Sequence, residues 1–203
     1  MADYCRQWGV RTTVVRNDAV TAEDLSRSQA LLLSPGPGGP RDAGVCGDAV
    51  RRLTVTPMLG VCLGHQVIVD ALGGMVRRGR PVHGRQAVVR HDGSPLFESL
   101  PAEVRVGRYH SLQADADSVP DGLRVTAVTR GGTVMAVEHD SRPVYGVQFH
   151  PESVLTDGGM TMVGNFLRLA GFDVAPPARL KAVASEASDD FYERPVTGSA
   201  RPL

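Results

Sequence analysis

The sequence predicts an α/β fold, with an open, mainly parallel sheet flanked by helices and extended by antiparallel strands. Short apolar runs of strand length alternate with helical patterns in the first 75 residues. These runs are continuous, which is typical of strands covered on both faces. After Gly74, five strand-like segments separated by turn signals indicate antiparallel pairing.

The elements of the first part follow in chain order. Residues 11–15 are rich in β-branched side chains and are predicted to form a strand. Residues 30–33 and 56–61 are apolar and are predicted as the next two strands. A helix is predicted between them because apolar residues recur at helical spacing, namely Val45, Ala49 and Leu53.

A second helix is predicted directly after residues 56–61. It spans residues 65–72 and places four apolar residues on one face, which are Val67, Ile68, Ala71 and Leu72. Gly73 and Gly74 are expected to end it, because glycine readily adopts the left-handed backbone that closes helices.

The second part of the chain is predicted to be mostly strand. The candidate strands are residues 86–90, 103–108, 123–128, 133–138 and 144–149, followed by a closing helix at 159–169. A chain of 203 residues suits one domain, predicted here as residues 1–171. Prolines, small residues and charges dominate beyond it, so residues 172–203 are predicted to be a mostly disordered C-terminal tail.

Composition argues against two classes of partner. Lys plus Arg and Asp plus Glu both number 22, so the chain lacks the basic excess of a nucleic-acid-binding protein. The sequence contains no run of 18 apolar residues and no apolar stretch near Met1, so neither a membrane span nor a signal peptide is expected. Cys5, Cys46 and Cys62 are an odd count without a C-x-x-C pair, so the cytoplasm is the expected location.

A glycine-flanked cysteine follows the strand at 56–61. The segment Gly60-Val61-Cys62-Leu63-Gly64 matches a G-x-nucleophile-x-G turn, with cysteine where hydrolases often place serine. The following helix N-terminus and a nearby histidine would favour the thiolate. The backbone N–H of Leu63 would donate to an oxyanion. Taken alone, the pattern fits a buried structural cysteine equally well.

His150 and Glu152 follow the strand predicted at 144–149, as Cys62 follows its own strand. Sites in open α/β sheets form at the carboxyl ends of the strands, so we expect these side chains to meet. His150 would take the thiol proton and later protonate the leaving group. Glu152 would orient the imidazole. The combination favours cysteine-based catalysis over a structural turn.

A rigid loop of alternating proline and glycine at residues 34–38 follows the strand at 30–33. Its N–H groups are unshielded, and Gly38 is predicted as the second oxyanion donor. His110 lacks a following carboxylate and is the weaker candidate for the base. No metal or other cofactor is expected, because metal-ligand spacing is missing at His83, His91 and His139.

Four motifs together resemble the class I (triad) glutamine amidotransferase family. They are S-P-G-P-G at 34–38, G-V-C-L-G-H-Q at 60–66, Y-H-S-L at 109–112 and G-V-Q-F-H-P-E-S at 146–153. Within the family, the chain is most similar to the glutaminase subunits of anthranilate synthase and aminodeoxychorismate synthase. The segments 15–18, 82–84 and 153–156 carry that closer resemblance, which spans about residues 2–171 in all.

The resemblance implies a glutaminase with a Cys62–His150–Glu152 triad. Cys62 would attack the side-chain amide of L-glutamine, giving a glutamyl thioester and ammonia, and water would then release glutamate. The ammonia would pass to a chorismate-using synthase partner, faced by a loop at His83-Gly84. The resemblance assigns glutamine binding to Gly36, Pro37, Gly38, Gln66, Ser111 and Leu112.

Several alternatives stay open at this point. Relatives usually begin with a further strand, central in the sheet, so that first strand is expected to be missing here. The chain could be an active amidotransferase subunit, a binding or regulatory subunit that keeps the fold without turnover, or a stand-alone cysteine hydrolase. Its pathway could lead to anthranilate and tryptophan, to aminodeoxychorismate and folate, or to a specialised metabolite.

Overall fold

A computed structural model describes residues 1–175 of the chain. Its elements, in chain order, are α1 (Ala2–Gln7), α2 (Ala22–Leu25), β1 (Leu31–Leu33), α3 (Cys46–Arg52), β2 (Met58–Val61), α4 (Leu63–Ala71), β3 (Val76–His91), β4 (Glu103–Ala114), β5 (Leu123–Thr129), β6 (Val134–His139), β7 (Val144–Val147) and α5 (Gly159–Leu169). Short 3-10 turns at Pro40–Asp42, Pro95–Phe97 and Ala116–Ser118 lie between them.

The strands of the described region lie in one seven-stranded sheet, in the order β1-β2-β7-β6-β5-β3-β4. β1, β2 and β7 pair in parallel, and the other pairings are antiparallel. The predicted α/β open sheet with an antiparallel extension is confirmed, although the sheet is mixed and its antiparallel part is the larger. The carboxyl ends of β1, β2 and β7 therefore lie side by side.

Helices cover both faces of the sheet. Leu59 and Val61 of β2 face one apolar cluster, which includes Phe166 of α5 and also Cys5 of α1. Met58 faces the other cluster, which contains residues of α3 and α4. Successive residues of a strand point to opposite faces, so a strand between two helical layers needs apolar residues throughout. This requirement explains the uninterrupted apolar run of β2.

The two main helices and most strands form where the sequence predicts them, but three expectations need correction. Residues 11–15 form no strand, and the side chains of Val14 and Val15 are 73% and 49% exposed. β-branched residues favour a strand only where a neighbouring strand offers hydrogen bonds and packing. Within residues 1–175, this segment pairs with no strand.

The antiparallel strands are longer than predicted. β3 begins at Val76 rather than at residue 86, and β4 continues to Ala114 rather than ending at residue 108. His83-Gly84 accordingly lies inside β3, at a register shift, and not in a loop. The exposed arginines of β3 conceal the strand from a reading of hydrophobic pattern, because pairing there depends on backbone hydrogen bonds.

The chain stays packed on the domain beyond α5. Phe172 is partly buried against the first apolar cluster, and Val174 is buried within it. Residues 176–203, where most of the disordered tail is predicted, lie outside the described residues. The domain boundary at residue 171 therefore stays a prediction. Within residues 1–175, no helix has the length and apolar character needed to cross a membrane.

Candidate active site

Cys62 forms a sharp turn between β2 and α4. Its backbone has φ 53° and ψ −99°, a left-handed conformation that is rare for a residue with a side chain. Two hydrogen bonds hold the turn. The N–H of Cys62 donates to the carbonyl of Val147 at 2.8 Å, and its carbonyl accepts from the N–H of Gln66 at 3.1 Å. Strained backbone of this kind is concentrated at functional sites.

Two glycines make the turn possible. A Cβ added at Gly60 would lie 2.5 Å from the backbone of Gly64. A Cβ added at Gly64 would lie 2.1 Å from the carbonyl oxygen of Leu33. Both distances are far below van der Waals contact. The flanking glycines of the motif are therefore required by backbone packing between β1, β2 and α4.

His150 and Glu152 follow β7, the strand next to β2. The Nδ1 atom of His150 lies 2.8 Å from Oε1 of Glu152, and both side chains are largely shielded from solvent. Burial opposes ionisation of Glu152, but the hydrogen bond with His150 keeps the pKa of the carboxyl below its ordinary value. The imidazole is therefore oriented by an ionised carboxylate.

The His150 ring also interacts with Cys62. Burial alone would lower the pKa of His150, but its interactions with Cys62 and Glu152 outweigh burial and raise the pKa to about 9. Nδ1 is engaged by Glu152, and Nε2 makes no hydrogen bond of standard geometry within residues 1–175. The approach to Cys62 is thus a near contact, as is common at catalytic pairs without substrate. A cationic ring beside the sulfur favours the thiolate.

The loop at residues 34–39 lies beside the turn. A Cβ added at Gly36 would meet Cδ2 of Leu63 at 3.0 Å, and one added at Gly39 would meet Cδ1 of Leu112 at 3.8 Å. Gly38 has φ 82°, which glycine tolerates without strain. The segments around Gly36, Leu63 and Leu112, which are far apart in sequence, therefore converge at the carboxyl ends of the parallel strands.

The match to known proteins follows this geometry. The family described as "Glutamine amidotransferase class-I" matches residues 1–170. This chain belongs to the class-I glutamine amidotransferase family. The amidotransferase is 48% identical to anthranilate synthase component 2 of Methanothermobacter thermautotrophicus over 161 residues, which cover 77% of this chain and 82% of the relative.

Two further relatives agree with this assignment. Aminodeoxychorismate/anthranilate synthase component 2 of Bacillus subtilis is 39% identical over 171 residues, covering 82% of this chain and 88% of the relative. The crystal structure of a GMP synthase protein from Thermoplasma acidophilum is similar, with a TM-score of 0.76 at 27% identity over 83% of this chain and 85% of that chain. The amidotransferase is thus of the component 2 type, which implies a synthase partner.

The residues predicted to hold glutamine divide into two groups in the amidotransferase. Gly36, Pro37, Gly38 and Ser111 are exposed beside the turn. Gln66, in contrast, is 3% exposed, and its Nε2 donates to the carbonyl of Leu112 at 2.9 Å and to Oε1 of Gln148 at 3.1 Å. The amide nitrogen of Gln66 is thus engaged within the protein. A direct contact between Gln66 and glutamine stays a prediction, as do the oxyanion roles of Leu63 and Gly38.

Sequence reasoning missed the residues that hold the His150 turn against β4. The N–H of His150 donates to the carbonyl of Gly107 at 3.1 Å, and the N–H of Gly107 donates to Oγ1 of Thr156 at 2.9 Å. The Thr156 hydroxyl in turn donates to the carbonyl of His150 at 2.6 Å. Thr156 belongs to the continuation of the last motif, which was its only sequence signal.

We expect the amidotransferase to lose stability in mild acid. Burial lowers the pKa of the fully buried His65 to about 4. Burial and the nearby Arg108 lower the pKa of His110 to about 3. Both rings titrate near pH 6.5 once unfolded. Their contribution to the free energy of unfolding is therefore complete above about pH 6.5 and is lost as the pH falls towards about 4 and 3.

His150 acts in the opposite direction. Because its pKa is raised to about 9, its contribution is complete below about pH 6.5 and is lost as the pH rises through about 9. Urea unfolding followed by circular dichroism should show a lower midpoint at about pH 5 than at about pH 7. A midpoint that stays the same or rises at about pH 5 would show that the buried histidines do not control acid stability.

Proposed function

We propose that this amidotransferase hydrolyses L-glutamine through a Cys62–His150–Glu152 triad and delivers the ammonia to a chorismate-using synthase subunit. The observation that carries the proposal is the environment of the His150 ring. It binds Glu152 at 2.8 Å and interacts with Cys62, and the two partners together raise its pKa to about 9. The names of the related component 2 proteins support the substrate and the partner.

The first half-reaction forms a thioester. The Cys62 thiolate attacks the side-chain carbonyl carbon of glutamine, and the negative charge moves to the carbonyl oxygen. The N–H groups of Leu63 and Gly38 stabilise that oxyanion. The intermediate then collapses as its C–N bond breaks. His150 donates its proton to the departing nitrogen, so ammonia leaves and a γ-glutamyl thioester remains on Cys62.

The second half-reaction restores the enzyme. His150, now neutral, takes a proton from water, and the resulting hydroxide attacks the thioester carbonyl. The C–S bond breaks, glutamate leaves, and the proton on His150 again accompanies the Cys62 thiolate. Glu152 stabilises the imidazolium in both halves, since its carboxylate stays hydrogen-bonded to Nδ1.

Ring contacts link the proposed partner-facing segment to the catalytic base. The exposed His83 meets Tyr109 edge-on, with ring centroids 5.4 Å apart, and Tyr109 meets His150 edge-on at 5.1 Å. The Tyr109 hydroxyl lies 3.1 Å from Oγ of Ser153, within the turn that carries His150. A synthase subunit that contacts β3 at His83 would therefore act close to the base. We place this reaction in the cytoplasm, because Cys5, Cys46 and Cys62 are all free.

The function is tested by ammonia release from glutamine, measured with and without an anthranilate or aminodeoxychorismate synthase subunit. Labelling of Cys62 by a glutamine-like electrophile accompanies the assay. The proposal predicts ammonia release that increases with the partner, and labelling at Cys62. Partner binding without labelling or turnover would support a regulatory subunit. High activity without a partner and without glutamine preference would support a stand-alone hydrolase.

Neutralising Glu152 should slow the reaction strongly. In Glu152→Gln, the ring loses the carboxylate that orients it and stabilises its charge, so kcat for glutamine hydrolysis should fall by about 10²-fold or more. Glu98→Gln is the matched control, because Glu98 is 60% exposed and its carboxylate pairs only with Arg168 among the described residues. Equal activities of the two variants would remove Glu152 from the mechanism.

A further inference from the structure

Gln148 is a fully buried polar residue that the triad mechanism does not use. It follows β7 directly and precedes His150 by two residues, and its side chain has no exposure to solvent. Its backbone N–H donates to the carbonyl of Met135 at 2.9 Å, which fixes the residue against β6. A buried amide is costly unless its N–H and C=O groups find partners, so the contacts of this side chain are informative.

The side-chain amide of Gln148 joins two parts of the site. Its Nε2 lies 3.7 Å from Sγ of Cys62, within hydrogen-bonding distance for sulfur. Its Oε1 accepts from Nε2 of Gln66 at 3.1 Å, and the same nitrogen of Gln66 donates to the carbonyl of Leu112 at 2.9 Å. One chain of hydrogen bonds therefore connects the cysteine with the segment beside the loop at residues 34–39.

The direction of this chain follows from its chemistry. The backbone carbonyl of Leu112 can only accept, so Gln66 must present its NH₂ group on that side. The same NH₂ group then faces Gln148, which must present its oxygen to it. The NH₂ group of Gln148 is consequently directed at Cys62. Neither amide can be reversed without placing two donors or two acceptors face to face.

The chain continues beyond Leu112 to a buried guanidinium. His110 Nδ1 lies 2.9 Å from the Leu112 carbonyl, and Arg108 Nε donates to His110 Nε2 at 3.1 Å. Because Nε2 accepts, the neutral ring carries its proton on Nδ1 and donates it to Leu112. Every link from Arg108 towards Leu112 thus points the same way, and linked hydrogen bonds of this kind strengthen one another.

We propose that Gln148 is a further member of the catalytic machinery, which holds the Cys62 sulfur in place and stabilises its thiolate through an N–H···S hydrogen bond. A thiolate accepts such a bond far better than a thiol does, so the contact favours the ionised nucleophile. The same bond restrains the sulfur for attack on the substrate. This inference rests on the proposed function, in which Cys62 is the nucleophile.

The test compares Gln148→Met with wild type. Methionine keeps the approximate length and volume of the side chain but removes the N–H donor. The rate of Cys62 alkylation by iodoacetamide is followed across pH, and peptide mass spectrometry separates Cys62 from the other free cysteines Cys5 and Cys46. We expect the pH profile to move upward by about one unit and kcat for glutamine hydrolysis to fall about tenfold.

Asn165→Leu is the matched control. Asn165 is also fully buried, and its amide donates to the carbonyls of Leu96 and Glu98 at 2.9 Å each, remote from Cys62 in the hydrogen-bond network. It should lower stability without moving the alkylation profile. A Gln148→Met profile that superimposes on that of wild type, in a protein that still hydrolyses glutamine, would overturn the proposal.

A measurement on the wild-type protein covers the case in which Gln148→Met does not fold. In protein labelled with ¹⁵N-glutamine, the side-chain NH₂ resonance of Gln148 should shift as Cys62 ionises, and should stop shifting once Cys62 is alkylated. A resonance that ignores both events would equally overturn the proposal. Failure of the proposed function gives a different result, namely a wild-type chain that releases no ammonia and is not labelled at Cys62.

Discussion

Replacing Cys62 with alanine abolishes ammonia release from glutamine, with an expected fall in rate of at least about 10⁴-fold. The thioester cannot form without the sulfur, and no other cysteine can replace it. Cys5 is buried in the cluster against α5, and Cys46 lies at the start of α3. The assay is ammonia release from glutamine in the complex with the synthase subunit.

The same variant separates the two activities of the complex. Ammonia supplied directly should still support synthesis by the partner, since Cys62→Ala removes only the source of ammonia. Cys46→Ala is the matched control and should retain glutamine-dependent synthesis, because Cys46 is a half-buried free thiol outside the site. If Cys62→Ala assembled normally but lost synthesis from ammonia as well, the proposed division of labour would be wrong.

The second large effect concerns the backbone beneath the nucleophile. In Gly64→Ala, the new methyl group would lie 2.1 Å from the carbonyl oxygen of Leu33 and 2.7 Å from its Cβ. Helix propensity alone predicts that alanine in α4 stabilises by about 1 kcal/mol. The clash decides the sign, because backbone on both sides cannot move aside cheaply. We expect a loss of at least about 3 kcal/mol in the free energy of unfolding, or failure to fold.

Gly132→Ala provides the comparison for this effect. Gly132 has φ 82°, and a Cβ there would meet no atom within 4 Å. Its substitution therefore carries only the strain of a left-handed backbone, about 1–2 kcal/mol. Urea unfolding of the two variants should rank Gly64→Ala far below Gly132→Ala. Equal midpoints would mean that β1 and α4 do not approach each other as closely as described.

The fold could be predicted from sequence where one local signal and one packing requirement agree. Helix α4 has an apolar face, a glycine stop and a buried strand before it, and it was predicted to within a few residues. Helix α5 was predicted to the residue, from 159 to 169. Residues 11–15 failed because β-branched composition shows only that a segment could join a sheet. A strand also needs a neighbour, and composition does not supply one.

The candidate site was predictable as residue types at strand ends, since Cys62, His150 and Glu152 each follow a parallel strand. Its supporting interactions were not predictable in the same way. Gln148 was visible only as a letter within a motif, because hydrogen-bond direction depends on which carbonyl or amide lies opposite. The Thr156 hydroxyl and the Gly107 backbone meet His150 only through the long β4 strand, whose extent the sequence pattern underestimated.

The central claim is that the Cys62 sulfur carries the glutamyl group during turnover. The direct measurement is to mix the amidotransferase with glutamine, quench it in acid within one turnover, and analyse its peptides by mass spectrometry. The account predicts one glutamyl group, on the peptide that contains Cys62. A glutamyl group on Cys5 or Cys46, or ammonia release without any covalent group on Cys62, would contradict it.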